Sequence, residues 1–591
     1  MKDLTAFSGD VEKLTAISNA FSEAPKLPKA DPSSFARLIE ELLDTSDLVI
    51  SRLTLDIMTH VASAGSEEHK RFLLEDTPLN YIPRIANLSG ALPEQVRYLF
   101  GQIALCGTPR EVLLALNEVL SGINDSVSTE RKVDFFVTFA SLGLEETQIV
   151  DAVDRLGWEE PCVLFDIVIA SYIIVLERMP NSKSMPTIRT LVEAFCSALF
   201  GLTSDFSNLS APSLLDSLCS LIETSWTWVL KTPDCGEQQR MILTRLLFTS
   251  IDLLSPFCTD TPMLDYWFLK TFPKFATLPS VPDKALECDP KALHRAFAVM
   301  EAMDLTADTL VKCFENRPAP AYPAMASLAL LAASLPNLES TASRTYLKAL
   351  PDLSLRQSMS VLKIALFSSH KDAGLTWIWH LVHSTKIVEY DVAIELFEFL
   401  IPLIGSAPSS ISSLATFKLL GAIIEAVPSS SDQIDLFMRL LGPDNERRGL
   451  RIQSLSLLRG ATAKPQSLIL TPLLLDRLGP ILFSIREGDT EPMNLSLGQM
   501  LDSTWPPWFT DCLGYFRLLF TLDISNLTGI RDRWCPEFLN QRWIKPMGMG
   551  LERLMSEVET EPIGVQKRFI LDRWEDALRR AQEVVAGSHQ I

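Results

Sequence analysis

The sequence contains none of the short motifs that assemble the common active sites. It has no G-x-x-x-x-G-K-[ST] phosphate loop, no G-x-G-x-x-G turn, no G-x-S-x-G nucleophile elbow and no H-E-x-x-H zinc motif. Its seven histidines are dispersed over 591 residues, so spacing alone assembles no acid–base pair. We therefore predict a protein that is not an enzyme and has no cofactor and no metal site.

Paired cysteines and a secretion signal are also missing. None of the ten cysteines forms a C-x-x-C pair, and most lie in apolar runs, where a free thiol behaves as a small hydrophobe. The N-terminal sequence MKDLTAFSGDVEK has no apolar core, and the apolar run from Cys162 to Leu176 is interrupted by Asp166. We expect reduced thiols in a cytoplasmic protein, also present in the nucleus, and no membrane span.

Positive charge is scarce, because 53 Lys and Arg face 73 Asp and Glu for a formal net charge of −20. Such a surface repels phosphate backbones, so nucleic acid is not an expected partner. A local basic patch remains able to bind an acidic protein.

Alternating strand patterns are almost absent, whereas amphipathic helical segments recur from about residue 33 onward. In TPREVLLALNEVLSG, Pro109 suits a first helical position, Glu111 completes a capping box with Thr108, and Gly122 follows the apolar stripe. The stripe residues share one helix face: Val112, Leu113, Leu116, Val119 and Leu120. We predict an all-α fold, an elongated and irregular HEAT/armadillo-like α-solenoid of stacked antiparallel helix pairs.

A long proline-rich break from Thr259 to Pro290 suggests the main division of the chain. We predict an N-terminal helix and linker at 1–34, an N-terminal helical-repeat region at 35–260, and a C-terminal helical-repeat region at 261–591 whose end binds a partner.

Two groups of residues look like binding sites, but the sequence favours a structural role for both. His380 and His383 are three apart on a predicted helix, near His370 and Asp372, but zinc needs more ligands than this pair supplies. The segment Thr504–Phe520 is rich in aromatic residues that helical spacing assigns to a core. These residues are Trp508, Leu513, Phe516, Leu519 and Phe520.

Charge is less acidic toward the C-terminus, where residues 531–591 carry ten cations and ten anions. A second cationic group, Arg447, Arg448, Arg451 and Arg459, lies in DNERRGLRIQSLSLLRG. An arginine guanidinium makes forked hydrogen bonds and offers a flat surface for stacking, which favours protein docking. Six residues are predicted to bind the partner: Arg447, Arg448, Arg451, Arg542, Trp543 and Lys545.

The segment FLNQRWIKPMGMGLERLMSEVE, from Phe538 to Glu559, raises its own structural question. We expect Pro546 to begin a helix and Lys545, the residue before it, to be extended. Gly548 and Gly550 lower helix propensity and indicate close packing or a break.

This segment resembles the C-terminal segment of the glomulin and fungal Yap-binding protein family, in which a "FLKPLHIGL"-like run follows a "LNLLRYLV"-like helix. Here the preceding helix is similar to CLGYFRLLFTLD, from Cys512 to Asp523. Near the other end, CGTPREVLLALNEVL resembles the family's "CNPKELLLGLLELI". The matching segments cover about a tenth of the chain, and the total length is like that of glomulin.

The resemblance implies a non-enzymatic helical-repeat protein that acts through partners. Glomulin inhibits cullin-RING ubiquitin ligases by covering the RING subunit where ubiquitin-conjugating enzymes bind. Fungal relatives are associated with a stress-response transcription factor and with kinetochores. Two other interpretations stay open: an assembly chaperone for a multisubunit complex of the proteasome type, and an enzyme whose catalytic residues are distant in sequence.

Overall fold

The computed structural model describes residues 32–44, 48–77, 79–90, 92–126, 160–180, 184–231, 236–259, 261–277, 291–306, 309–311, 314, 322–335, 353–443, 447–485, 492–560 and 564–588. Within these ranges the chain forms helices and turns and no β-strand. The predicted N-terminal helix and linker lie mostly outside the described residues, which begin at Pro32.

The helices in the first half of the described chain are α1 (Pro32–Leu43), α2 (Leu48–Ala64), α3 (Glu67–Arg71), α4 (Ile82–Ala86), α5 (Pro93–Cys106), α6 (Pro109–Ser126), α7 (Glu160–Arg178), α8 (Ser184–Gly201), α9 (Ser210–Leu230), α10 (Glu237–Leu254), α11 (Met263–Thr271), α12 (Lys291–Ala302) and α13 (Tyr322–Ser334). A π-helical turn spans Phe72–Asp76, and short 3-10 turns span Leu79–Tyr81, Ser255–Phe257 and Pro273–Phe275.

The helices that follow are α14 (Leu355–Leu366), α15 (Lys371–Thr385), α16 (Tyr390–Gly405), α17 (Ser410–Ala426), α18 (Ser430–Leu441), α19 (Arg448–Thr462), α20 (Pro472–Leu482), α21 (Leu497–Leu501), α22 (Trp505–Leu522), α23 (Pro536–Leu539), α24 (Lys545–Thr560) and α25 (Val565–Ser588). A 3-10 turn spans Pro492–Asn494, and a π-helical turn, Asn540–Ile544, joins α23 to α24.

Helix α6 shows how the sequence pattern becomes local structure. It begins at Pro109, as predicted, because proline needs no partner for an amide hydrogen at that position. All five residues of the predicted stripe are buried. The helix continues past Gly122 to Ser126, and Ile123 adds one more buried position. Burial of the apolar face therefore outweighs the glycine as a stop signal.

Packing divides the chain into two compact units, residues 1–353 with 357–377, and residues 354–356 with 378–591. In the first unit, α5, α7, α9 and α12 stack as one row, and α6, α8, α10 and α13 stack as another. In the second, α16 pairs with α17 and α18 with α19, while α19, α22 and α25 stack in turn. Each unit is thus an irregular HEAT/armadillo-like array of helix pairs, which confirms the predicted fold class.

The proline-rich segment at which the sequence predicts a boundary lies within the first unit. The division at residues 260/261 stays a prediction about repeat regions. What matters for the site is that every predicted partner-binding residue falls in the second unit.

Candidate docking surface

The six predicted partner-binding residues occupy two places in the second unit. Arg447, Arg448 and Arg451 lie at the start of α19, and the others lie in the continuous helical segment Pro536–Thr560. Both groups reach α22, but at different residues. Arg451 stacks on Trp508, whereas Trp543 packs against Phe516, eight residues further and about 12 Å along the helix axis. The structure does not gather the six side chains into one patch.

Arg451 is a buried structural residue, with only 9% of its surface exposed. Its Nε donates a hydrogen bond of 2.6 Å to the carbonyl of Leu441, the last residue of α18, and its guanidinium lies 4.3 Å from the Trp508 ring centre. A cation at a helix C-terminus satisfies orphan carbonyls and opposes the helix dipole. Its donors and its flat face are thus used inside the fold. That Arg451 contacts a partner stays a prediction from the sequence.

Arg447 is exposed, yet its guanidinium serves the same kind of purpose. It donates to the carbonyls of Ile401 and Pro402 in the last turn of α16, the second at 3.1 Å. Arg448 begins α19. The cationic cluster that the sequence suggested as a docking surface is thus partly a set of helix caps.

Trp543 is fully buried. Its ring centre lies 5.0 Å from that of Phe483 and 6.1 Å from that of Phe516. In this conformation the Trp543 side chain offers no surface to a docked protein. That it contacts a partner stays a prediction from the sequence. The flanking cations Arg542 and Lys545 are both exposed.

The stretch around Trp543 is helical throughout, which corrects the expectation for Lys545 and Pro546. Lys545 has φ −64° and ψ −46°, and its amide donates to the carbonyl of Asn540, five residues earlier. In an ordinary α-helix the Pro546 ring would meet the carbonyl four residues before it. The wider π-helical turn relieves that clash, and so the chain passes the proline without becoming extended.

The glycines after Pro546 permit close packing, as predicted. A Cβ on Gly550 would lie 2.5 Å from the Met493 sulfur, and one on Gly548 would lie 3.7 Å from Leu578 Cδ2. Met493 therefore fills the place that a side chain at position 550 would take, and the segment is anchored through its backbone as well as its apolar face.

An exposed strip runs along the outer side of this helical segment. It consists of four residues, which we call the docking strip: Phe538, Arg542, Lys545 and Met549. Phe538 is 39% exposed and Met549 65%, and the Arg542 guanidinium lies 5.4 Å from the Phe538 ring centre. The opposite side is buried at Leu539, Trp543, Met547, Leu551 and Leu554. Two apolar and two cationic side chains thus stand on a helix whose inner face is fixed in the core.

The six predicted residues include the two cations of the docking strip but not its two apolar members. Helical spacing could have indicated all four, because Phe538, Arg542, Lys545 and Met549 follow one another at intervals of four, three and four. The expectation that a helix begins at Pro546 separates Phe538 and Arg542 from the helix that carries Met549.

The histidine group shows no metal-binding geometry. The His383 ring stacks on Trp379 at 4.5 Å, and its Nδ1 lies 2.8 Å from the Trp379 carbonyl. His370 pairs with Asp252 at 2.9 Å, and Asp372 accepts the amide hydrogens of Met263 and Leu264 at the start of α11. Over the described ranges no group of three or more His, Cys, Asp or Glu side chains is arranged to hold a metal ion.

The aromatic segment Thr504–Phe520 and five of the described cysteines belong to the core, whereas Cys106 and Cys535 are half-buried. All five residues that helical spacing assigned to the core there are buried. Burial raises the thiol pKa of Cys219 and Cys258 to about 12, and that of Cys512 well above its usual value. Such thiols are poor nucleophiles.

Among the helices in the described ranges, none is both long and apolar enough to cross a bilayer.

Comparison with known proteins assigns no family to this chain. No family model and no curated protein matches the sequence. A chain from work on a phosphorylation switch that controls the interaction between cadherin and beta-catenin shares 13% identity at a TM-score of 0.23, covering 98% of this chain and 99% of that one. A chain of the S. pombe condensin Cnd3-Cnd2 subcomplex shares 11% identity at 0.18, covering 96% and 92%. At such low TM-scores neither similarity supports an inference.

Proposed function

We propose that this chain is a non-enzymatic helical-repeat protein that binds a partner protein through the docking strip. The partner proposed is the RING subunit of a cullin-RING ubiquitin ligase, and binding blocks the ubiquitin-conjugating enzyme by steric competition. The observation that carries the proposal is the docking strip itself, an exposed apolar and cationic face on a chain with a formal charge of −20.

The composition of the docking strip suits a protein partner. Aromatic residues, methionine and arginine are enriched at protein interfaces, and lysine adds charge at the rim. The partner's facing surface would offer carboxylates to Arg542 and Lys545 and a shallow apolar depression to Phe538 and Met549.

Rigidity of the segment also supports binding. Because Trp543 and Met547 are fully buried and Gly550 is packed against Met493, the exposed face keeps its arrangement before a partner arrives. A preorganised face loses less conformational entropy on association. The RING subunit is chosen because this same segment carries the resemblance to glomulin.

The test is ubiquitination in vitro by a purified cullin-RING ligase, with the full chain added in increasing amounts. Wild-type protein is expected to inhibit. Alanine at Phe538, Arg542, Lys545 and Met549 together should weaken inhibition by about 30-fold to 1,000-fold, the range expected for loss of 2–4 kcal/mol at a hot spot.

A matched control is available on α6, where Arg110 and Leu114 form another exposed pair of one cation and one apolar residue. Alanine at both positions should leave inhibition unchanged. Full ligase activity at saturating wild-type protein would remove the inhibitor hypothesis. Pull-down would then show whether ATPase-ring subunits, as for an assembly chaperone, or a stress-response transcription factor bind instead.

A further inference from the structure

A second surface lies between α22 and α25 and shares no residue with the docking strip. α22 and α25 pack side by side, with Phe509 stacked between Trp505 and Trp574 at 5.4 and 5.5 Å. Along one edge of this contact runs a groove of about 380 Å³, which we call the α22–α25 groove. Its principal lining residues are Leu513, Gly514, Arg517, Arg573, Ala577 and Arg580.

The groove is lined by one face of each of two helices, an arrangement that can accommodate a third helix. The lining residues follow helical spacing from Thr510 to Arg517 on α22 and from Phe569 to Arg580 on α25. The stretch of α25 from Phe569 to Arg580 is about 16 Å long, or three helical turns. Since α19, α22 and α25 already stack in turn, a helix seated here would add to that stack.

The floor of the groove is small and apolar. Ala577 offers only a methyl group, whereas the place above Gly514 is filled by the Arg459 guanidinium, which a Cβ at that position would meet. Leu513 closes the floor between them, and Phe569 stands at one end with 61% of its surface exposed. The small side chain of Ala577 leaves room for an apolar anchor from a partner.

The rim of the groove is cationic, and its carboxylates already have arginine partners. Asp572 pairs with Arg568 at 3.0 Å, and Asp576 pairs with Arg579 at 2.6 Å and Arg580 at 2.8 Å. Arg517 is exposed, with no ion pair among the described residues, and the Arg573 guanidinium lies 6.0 Å from the Phe569 ring centre. Three guanidiniums therefore border the groove on an otherwise acidic chain.

We propose that the α22–α25 groove binds an amphipathic helix of a partner protein, with an apolar anchor over Ala577 and acidic residues facing Arg517 and Arg573. Charge complementarity and the helical spacing of the lining select this occupant. The site goes beyond the proposed function, because the groove shares no residue with the docking strip and binds its helix independently of it.

The experiment is selection of peptides of about 12 residues, enough to span the groove, from a random displayed library on the full chain at physiological salt. The enriched sequences are expected to carry apolar residues at helical spacing bordered by Glu or Asp. A representative labelled peptide should lose at least about tenfold in affinity, a change of about 1.4 kcal/mol, with Arg517→Glu and Arg573→Glu together.

Two further variants complete the test by fluorescence anisotropy. Ala577→Leu fills the floor without changing charge and should also abolish binding, while Arg542→Ala with Lys545→Ala, in the docking strip, should leave it intact. Circular dichroism checks that each variant is folded, and the exposed arginine substitutions keep the test valid if Ala577→Leu is not. Absence of enriched peptides, enrichment without acidic borders, or affinity unaffected by the arginine substitutions would overturn the proposal. Failure of the chain to inhibit the ligase in the ubiquitination assay would count against the proposed function and not against the α22–α25 groove.

Discussion

Two groups of cations that look alike in the sequence have opposite positions in the second unit. Arg447 and Arg451 lie at the start of α19, and their guanidiniums donate to carbonyls near the C-terminal ends of α16 and α18. Arg542 and Lys545 lie in the middle of a continuous helical segment, away from its ends, and they face solvent. The difference teaches that an arginine beside a helix terminus is consumed by capping, whereas one on the outer face of a continuous helix stays available.

The largest effect that tests this comparison is expected at Trp543, between the two exposed cations. Trp543→Ala removes a fully buried ring from between Phe483 and Phe516, and we expect it to destabilise the protein by about 3–5 kcal/mol. Arg542→Ala, one residue away, should change the free energy of unfolding by less than about 0.5 kcal/mol. Urea denaturation followed by far-UV circular dichroism measures both. Equal effects of the two substitutions would remove the distinction between inner and outer face.

The next largest effect is expected for the buried cap. Arg451→Ala leaves the Leu441 carbonyl without its charged donor and exposes the Trp508 face, and should cost about 2 kcal/mol. Arg447→Ala, at an exposed cap, should cost less than about 1 kcal/mol. The same denaturation experiment ranks them. A larger loss at Arg447 would show that burial does not set the strength of these caps.

A half-buried carboxylate cap in the first unit, Asp372, gives a smaller, pH-dependent effect. Asp372 accepts two amide hydrogens of α11, but burial raises its pKa to about 6. Because the folded state holds this proton more tightly than the unfolded chain, stability is expected to fall as pH rises from about 4 to about 6, by on the order of 1 kcal/mol.

Asp372→Asn should flatten that fall, and the difference between variant and wild type isolates Asp372 from the neighbouring His370–Asp252 pair. Thermal unfolding at a series of pH values provides the measurement. Glu68→Gln on exposed α3 serves as the control. A wild-type fall that persists in Asp372→Asn would assign the pH dependence to another group.

The smallest effect on stability is expected for the docking strip. Alanine at Arg542 and Lys545 together should leave the thermal midpoint within a degree or so, because neither side chain is buried. Differential scanning fluorimetry is sensitive enough to detect a larger shift. A shift comparable with that of Arg451→Ala would mean that these cations hold the fold and are not free for a partner.

Much of the fold followed from local patterns in the sequence. The α6 stripe is correct at all five positions. Periodicity succeeds inside a helix because backbone geometry sets which residues share a face.

Sequence alone determined the class of fold, since repeated 3.6-residue periodicity with short breaks leaves few alternatives to stacked helices. It also determined that the tryptophan-rich segment belongs to the core. Tertiary structure decided which cations are free, because a guanidinium is captured by carbonyls that lie 45 residues away for Arg447 and 10 residues away for Arg451. It also decided the exposure of Phe538 and Met549, because the π-helical turn before Pro546 keeps one helix continuous and so sets which of its faces the core covers.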